Sequence, residues 1–294
     1  MKNIKEKFKK DLNRFLQSIQ SHVSTRNGQW AVKGFIDVYK NIYTISSDTK
    51  IVSKILEIHL FPKILSFSES IGYKLVLADH QNYYPDITFV NKRDEKIKYA
   101  VDFKTTYRKP DNPKLCNGFT LGSHGEYFIN RTSKKNIQFP YNDYMGHFCF
   151  GIIYDRVDGS TIDETKSYNI DQLKSITSVV KNFDYFIAEK WKIASDKGGS
   201  GNTANIGSIN NIEDIKNENG MFSKLGENSI VVVVVHPLKF MEIEGFAGNR
   251  SFSSAFPQYL INAMFAGATA VVFMVLPSLP PRLASHEQSL RPLL

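Results

Sequence analysis

The chain has 294 residues and a formal net charge of +8, from 37 basic and 29 acidic side chains. Because both signs are abundant, the composition indicates a mildly basic globular protein that can face nucleic acid, and it excludes a polycationic tail. The length allows one large domain or two. The two cysteines, Cys116 and Cys149, argue against a disulfide framework and favour a reducing cytoplasm.

The chain opens on a predicted amphipathic helix rather than on a secretory signal. Six apolar residues follow helical spacing: Ile4, Phe8, Leu12, Phe15, Leu16 and Ile19. Lysine and arginine side chains interrupt any longer apolar run, which a signal peptide would not allow. This helix can pack within the monomer core or form part of a dimer interface, and the spacing leaves both interpretations open.

A second helix is predicted to begin at Ser47 or Asp48, either of which can cap it. Two apolar rows recur within it every three or four residues: Ile51, Ile55 and Ile58 in one, Val52, Leu56 and Leu60 in the other. Thr49 and Lys50 could reach phosphate, because backbone N–H groups at a helix start favour anions, or they could merely be capping-region residues. Glu57 lies inside the helix, where periodicity alone indicates a solvated surface residue.

The stretch from Pro85 to Lys104 carries the strongest chemical signal. Residues 87–90 are β-branched or aromatic, residues 91–96 are a polar turn, and residues 97–106 are again rich in β formers, which predicts a hairpin. Alternation along the second strand places Asp102 and Lys104 on one face. Asp86 precedes the first strand, so it can meet Asp102 across the ribbon.

Two carboxylates held together need a cation between them. Oxygen ligation by few protein groups suits Mg²⁺, which keeps several waters and accepts phosphate oxygens. Lys104 beside the pair can polarise an attacking water or neutralise charge on the phosphorus oxygens. Asp86, Asp102 and Lys104 therefore outline a phosphodiester-cutting site, although a solvated hairpin face with alternating charges would show the same loose pattern.

Residues 198–202 form the glycine-rich segment Gly-Gly-Ser-Gly-Asn. The segment lacks the Lys-Ser/Thr ending of a phosphate-binding P-loop and the βαβ setting of a dinucleotide site, which argues against nucleotide binding. A plain flexible loop is one interpretation. The other is base recognition, since glycines let the backbone approach base edges, Asn202 can pair bidentately with adenine, and Thr203 can contact a thymine methyl group.

The composition changes after Phe222. Residues 224–294 contain five basic residues and four glutamates but no aspartate, and they include a run of five valines and an uncharged stretch at 259–276. That stretch is long enough for a membrane helix, but its polar residues and the lack of flanking basic residues weaken this interpretation. We predict a boundary between residues 223 and 224, beyond which lies a genuine replacement, a fused segment or a shifted reading frame. The abruptness of the change favours the last.

Five segments make the chain resemble the EcoRV family of type II restriction endonucleases. They occur in the family's order and at similar spacing, at residues 80–86, 102–106, 119–122, 135–137 and 199–208. The resemblance runs from about residue 34 to residue 222. It implies an α/β fold in which a mixed β-sheet is flanked by helices. Residues 224–294 depart from the polar, basic C-terminal region of the family.

The resemblance also implies a reaction. Mg²⁺ held by Asp86 and Asp102, with Glu57 as a third acidic group and Lys104 assisting, would support in-line hydrolysis of double-stranded DNA. The implied target is a palindrome like GATATC, cut bluntly to leave 5′ phosphates. The implied DNA-contacting residues are Gly199, Ser200, Gly201, Asn202, Thr203, Asn205, Gln81, Asn82, Thr49, Lys50 and Lys135.

The palindromic target implied by the resemblance also implies partners for the protein, and two alternative functions stay open. Two identical sites on a two-fold axis require a homodimer, which we expect in the cytoplasm, with no membrane partner and with a cognate DNA methyltransferase encoded nearby. A cleavage-deficient, sequence-specific DNA-binding protein and a DNA-repair nickase of the same fold stay open. The intact acidic triad favours the enzyme over the first, and the recognition segment favours a palindrome cutter over the second.

Overall fold

The computed structural model of the chain describes residues 2–80, 82–123, 127, 130–159, 162–198, 205–224 and 226. All of these belong to the first of two units of the chain, Met1–Glu242. Apart from Lys224 and Gly226, the C-terminal segment 224–294 lies outside the described residues. The boundary predicted between residues 223 and 224 therefore stays a prediction.

The described part of the chain contains both helices and strands. Its α-helices are α1 (Lys2–Val23), α2 (Thr49–Ser70) and α3 (Ile212–Lys216). Its strands are β1 (Gly34–Ile36), β2 (Ile42–Thr44), β3 (Tyr73–Leu77), β4 (Ile87–Asn91), β5 (Lys98–Lys109), β6 (Asn112–Cys116), β7 (Thr120–Ser123), β8 (Gly146–Arg156), β9 (Ser167–Tyr168), β10 (Val180–Glu189), β11 (Ala194–Gly198) and β12 (Asn205–Ser208). Short 3₁₀ helices lie at Tyr141–Asp143, Ile170–Ser175, Lys190–Ile193 and Met221–Ser223. Over these ranges, no helix is both long and apolar enough to cross a bilayer.

The central sheet has the strand order β10-β8-β5-β4-β3, with β6 paired to β5. Strands β3, β4 and β5 are antiparallel neighbours, β5 and β8 are parallel, and β8 and β10 are antiparallel. The sheet is therefore mixed, as predicted. The β4–β5 pair is also the predicted hairpin, with Ile87 opposite Val101. Two smaller sheets have the orders β1-β2-β9 and β11-β12-β7.

Helix α1 packs on the central sheet through its predicted apolar face. Phe8, Leu12 and Ile19 are buried, whereas Ile4 is 40% exposed. The ring of Phe8 stacks on that of Tyr99 in β5, with 4.0 Å between the ring centroids. Of the two interpretations of this helix, core packing within the chain is confirmed.

Helix α2 begins where predicted, and it buries one of its two apolar rows completely and only Ile55 of the other. The carboxylate of Asp48 accepts hydrogen bonds from the backbone N–H groups of Lys50 and Ile51, so Asp48 is the cap. Residues Val52, Leu56 and Leu60 are fully buried. In the other row Ile51 and Ile58 are exposed, because a helix lying on a sheet covers a single stripe of its surface.

Candidate active site

Asp86 and Asp102 face each other where the β4–β5 hairpin opens. The backbone N–H of Asp86 donates to Asp102 Oδ1 at 3.2 Å, and the backbone N–H of Phe103 donates to Asp86 Oδ2 at 2.8 Å. Each carboxylate is thus oriented by the main chain that carries the other. The prediction that the two side chains meet across the ribbon is confirmed.

Lys104 lies on the same face of β5 as Asp102. Its Nζ is 3.1 Å from Asp102 Oδ2. Phe103 points to the opposite face, where its ring centroid lies 4.9 Å from that of Phe150 in β8. The alternation predicted for this strand is therefore confirmed. The packing of Phe103 against Phe150 holds Asp102 and Lys104 on the opposite face of the strand.

A second ammonium group reaches Asp102 from a distant part of the chain. Lys190 begins the 3₁₀ helix that follows β10, and its Nζ lies 2.8 Å from Asp102 Oδ2. The same Nζ is 4.1 Å from the centroid of the Tyr84 ring. No local pattern predicts this contact, because it joins residues 88 positions apart. The sequence feature that comes closest to indicating this contact is the position of Lys190, shortly before the glycine-rich segment.

The four charged groups of the site, on Asp86, Asp102, Lys104 and Lys190, shift one another's pKa values. Surrounding protein partly desolvates Asp86, although solvent still reaches it, and this burial together with the Asp102 carboxylate raises the pKa of Asp86 to about 6. Burial also opposes ionisation of Asp102, but Lys104 and Lys190 outweigh it and lower the Asp102 pKa. Burial lowers the pKa of Lys190, whereas the two carboxylates outweigh burial at Lys104 and raise its pKa.

Small residues border these charges on the next strand of the sheet. Cys149 and Gly151 of β8 are in register with Asp102 and Lys104. The ring of Phe186 in β10 lies against Gly151, where an added Cβ atom would come within 1.9 Å of the ring. The glycine is therefore required for Phe186 to occupy this position.

Glu57 lies on α2 and borders the same cleft as Asp86. The cleft has a volume of about 430 Å³ and is also lined by Phe61 and Tyr83. Glu57 Oε2 is 2.8 Å from Lys54 Nζ, and the Glu57 charge contributes to the raised pKa of Asp86. Within the described residues, no three acidic, histidine or cysteine side chains gather into a metal site. Glu57 thus lines the cleft together with Asp86, but within the described residues it does not complete a metal site of three such side chains.

The carboxylate pair fits a divalent cation. Two carboxylates share one site, and the pKa of Asp86 is raised first by burial and then by repulsion from Asp102, which a cation between them would relieve. Oxygen donors of this kind, few in number and open to solvent on one side, match the preference of Mg²⁺ for sites at which it keeps waters.

At the start of α2, two backbone amides are already occupied by the helix cap. Asp48 already accepts from the N–H groups of Lys50 and Ile51, so these two groups are not available to a phosphate. Thr49 Oγ1 accepts a hydrogen bond from Arg156 at 2.6 Å, and Lys50 is exposed. A phosphate contact here would therefore involve the Thr49 hydroxyl or the Lys50 ammonium.

The other residues predicted to contact DNA are described only in part. Asn82 is exposed shortly before Pro85 and Asp86, and Lys135 is exposed as well. Asn205 begins β12 and pairs with Ser123 of β7. Outside the described residues lie Gln81, Gly199, Ser200, Gly201, Asn202 and Thr203.

Two carboxylates and a lysine brought together by a β-hairpin of a mixed sheet can support metal-assisted phosphodiester hydrolysis, the chemistry of nucleases. The family model described as restriction endonuclease EcoRV matches residues 26–231, and the chain belongs to this family. The type II restriction enzyme EcoRV of Escherichia coli is 38% identical over 202 residues, which cover 68% of this chain and 80% of that protein. The chain is a type II site-specific deoxyribonuclease.

Among solved structures, the NlaIV restriction endonuclease aligns with a TM-score of 0.37 and 17% sequence identity. The alignment covers 68% of this chain and 66% of that one. The EcoRV family match begins before residue 34 and ends beyond residue 222, so it includes the whole region in which the sequence resembles the family.

Proposed function

We propose that this restriction endonuclease requires Mg²⁺ and cuts both DNA strands at a palindrome like GATATC, leaving blunt ends with 5′ phosphates. The observation that carries the metal requirement is the carboxylate pair of Asp86 and Asp102, each oriented by the other's strand. The target and the blunt cut rest on the sequence resemblance of the glycine-rich segment to its counterpart in the family.

Asp86 and Asp102 would hold the metal ion. When bound, Mg²⁺ supplies Lewis acidity and neutralises charge at the scissile phosphate. The backbone hydrogen bonds to both carboxylates keep these ligands oriented, so little reorganisation is needed when the substrate arrives. Glu57, which lines the same cleft as Asp86, would support this pair or hold a second ion, for which it would have to release Lys54.

Lys104 would act as an electrostatic stabiliser. Its raised pKa keeps the ammonium group protonated at neutral pH, so it is poorly suited to remove a proton from water. A fixed positive charge beside Asp102 instead offsets negative charge that develops on the phosphorus oxygens.

Base recognition would lie in the segment that joins β11 to β12. The resemblance assigns base contacts to Gly199, Ser200, Gly201, Asn202 and Thr203 of this segment and to Asn205, which begins β12. The described ends of this segment are strands of one small sheet, β11-β12-β7. Gln81 and Asn82 would approach the DNA just ahead of the catalytic hairpin, while Thr49, Lys50 and Lys135 would add contacts elsewhere on the duplex.

A palindromic target requires two copies of the chain related by a two-fold axis. The β1–β2 hairpin presents exposed apolar residues suited to this contact. Phe35 and Tyr43 are cross-strand partners and are 56% and 46% exposed, and Val38 between the strands is 88% exposed. We assign this hairpin to the dimer interface.

Light scattering after size-exclusion chromatography tests the dimer. The double variant Phe35→Ser, Val38→Ser should elute with the mass of a single chain, while wild type elutes with the mass of two. Leu65→Ser, which changes an exposed apolar residue of α2, should leave the dimer intact. A monomeric wild type would contradict the assignment.

Plasmid digestion tests the reaction. With Mg²⁺, a plasmid that carries one GATATC sequence should be linearised, and end sequencing should show blunt ends and 5′ phosphates. Binding in Ca²⁺ without cleavage in Mg²⁺ would indicate a DNA-binding protein, and nicked circles as the end product would indicate a nickase. A neighbouring gene for a methyltransferase that protects the same sequence is expected.

A further inference from the structure

Asp102 Oδ2 forms ion pairs with two ammonium groups at once. Lys190 Nζ is 2.8 Å away and Lys104 Nζ is 3.1 Å away. A carboxylate oxygen offers about two lone-pair sites, so the lysines fill this atom. The other oxygen of Asp102 accepts from the N–H of Asp86. A metal ion that binds Asp102 through Oδ2 therefore has to displace an ammonium group.

The two lysines differ in how they are connected to Asp102. Lys104 belongs to the same strand, two residues further on. Lys190 belongs to a separate segment, and β11 follows directly after its 3₁₀ helix and leads to the glycine-rich segment. Lys190 is thus the ammonium whose position can change without a change in the catalytic strand β5.

The Lys190 ammonium lies between the catalytic residues and the small sheet β11-β12-β7. On one side are Asp102 and the ring of Tyr84, two residues before Asp86. On the other side is Gly122 of β7, where an added Cβ atom would lie 3.7 Å from Lys190 Nζ. The position of this charge therefore depends on contacts with both the catalytic hairpin and the small sheet.

We propose that in the DNA-free protein the Lys190 ammonium competes with metal for Asp102 Oδ2, so that metal binds Asp102 less tightly than it would bind a carboxylate with Lys104 as its one ammonium partner. This inference rests on the proposed function, because it takes Asp102 as a metal ligand.

Direct binding of Mn²⁺ to the DNA-free protein, measured by electron paramagnetic resonance, tests this competition without requiring activity. Lys190→Met keeps an apolar chain over Tyr84 and leaves Lys104 to pair with Asp102. This variant should bind Mn²⁺ with a Kd about tenfold lower than wild type, because one charge-assisted hydrogen bond no longer competes.

Lys192→Met is the matched control. Lys192 lies on the same 3₁₀ helix but pairs with Glu189 and Glu218 at 2.8 and 3.1 Å. It should leave the Kd for Mn²⁺ unchanged, so a change in both variants would indicate loosening of the helix and would overturn the proposal. Circular dichroism verifies folding, and Lys190→Gln replaces Lys190→Met if the latter does not fold.

Asp102→Asn separates this inference from the proposed function. If Asp102→Asn weakens Mn²⁺ binding and Lys190→Met binds no more tightly than wild type, the competition is overturned and the metal site stands. If Asp102→Asn binds Mn²⁺ as wild type does, Asp102 is not a ligand, and both proposals fall.

Discussion

Asp86 and Asp102 are each held by a backbone N–H of the opposite strand, at 2.8 and 3.2 Å respectively. The hairpin therefore fixes the orientation of two like charges before any cation is bound. The two carboxylates are positioned to bind a metal ion, and holding them together is unfavourable when no metal is bound. Both the metal binding and this cost to stability can be measured.

Asp86→Asn and Asp102→Asn should abolish cleavage, because each keeps the size of the side chain but removes a charged metal ligand. We expect a loss of about 10³-fold or more in the single-turnover rate with Mg²⁺. Glu95→Gln, which changes an exposed carboxylate on the β4–β5 turn, is the control and should cut as wild type does. Undiminished cutting by either aspartate variant would remove that residue from the metal site.

The Asp86 carboxyl should make stability depend on pH. Its pKa is raised from 3.8 to about 6 in the folded chain, so the unfolded chain releases this proton first as the pH rises. Its contribution to stability is complete below about pH 4 and is lost as the pH passes through 6. Asp86→Asn should thus raise the unfolding free energy by about 1 kcal/mol at pH 8, a value reduced for the solvent that reaches Asp86.

Urea denaturation of the metal-free protein checks this pH dependence. The difference between Asp86→Asn and wild type should become small near pH 4, where Asp86 is protonated in the folded chain. An equal difference at the two pH values would show that packing, and not ionisation, separates the two proteins.

Lys104→Met should lose chemistry while keeping DNA binding. A fixed charge beside the phosphate that contributes about 3 kcal/mol to the transition state corresponds to a rate loss of about 10²-fold. Single-turnover cleavage in Mg²⁺ measures the loss, and gel shifts in Ca²⁺ measure binding. A rate profile in which activity requires a deprotonated lysine would instead identify Lys104 as a base.

Asn202→Ala should relax sequence discrimination. Loss of a bidentate amide contact costs about 1–3 kcal/mol at one base pair, whereas Lys135→Ala should weaken binding to all sequences equally if Lys135 contacts phosphate. Competition against single-base variants of the target separates the two effects. Full discrimination by Asn202→Ala would remove this residue from base readout.

Removal of residues 232–294 should improve solubility. These residues follow the part of the chain that matches the family, and their composition departs from the rest of the sequence. Near-ultraviolet circular dichroism should be unchanged in the truncated protein. If residues 232–294 resist protease and their removal destroys a robust Mg²⁺-dependent activity, they form a functional subdomain of the enzyme.

The hairpin and its charges could be predicted because period-two alternation is a local property. Asp102 and Lys104 share a face for the same reason that Phe103 meets Phe150. The chain length between the strands is short, so the meeting of Asp86 with Asp102 also follows from the turn.

Lys190 could not be predicted in this way. Its contact with Asp102 depends on the strand order β10-β8-β5, which no local pattern specifies. Similarly, Ile51 and Ile58 have the spacing of buried residues and are exposed, because the sheet decides which stripe of α2 it covers. Contacts of high sequence separation are the ones that periodicity does not reveal.

The position of Lys190 relative to Lys104 depends on the small size of Gly151 in β8. Its strand lies between β5, which carries Lys104, and β10, which ends directly ahead of Lys190. A methyl group at residue 151 would collide with the Phe186 ring and push β10 away from its neighbour. The position of Lys190 relative to Asp102 thus depends on a glycine at residue 151, and we expect substitutions there to be poorly tolerated although Gly151 carries no functional group.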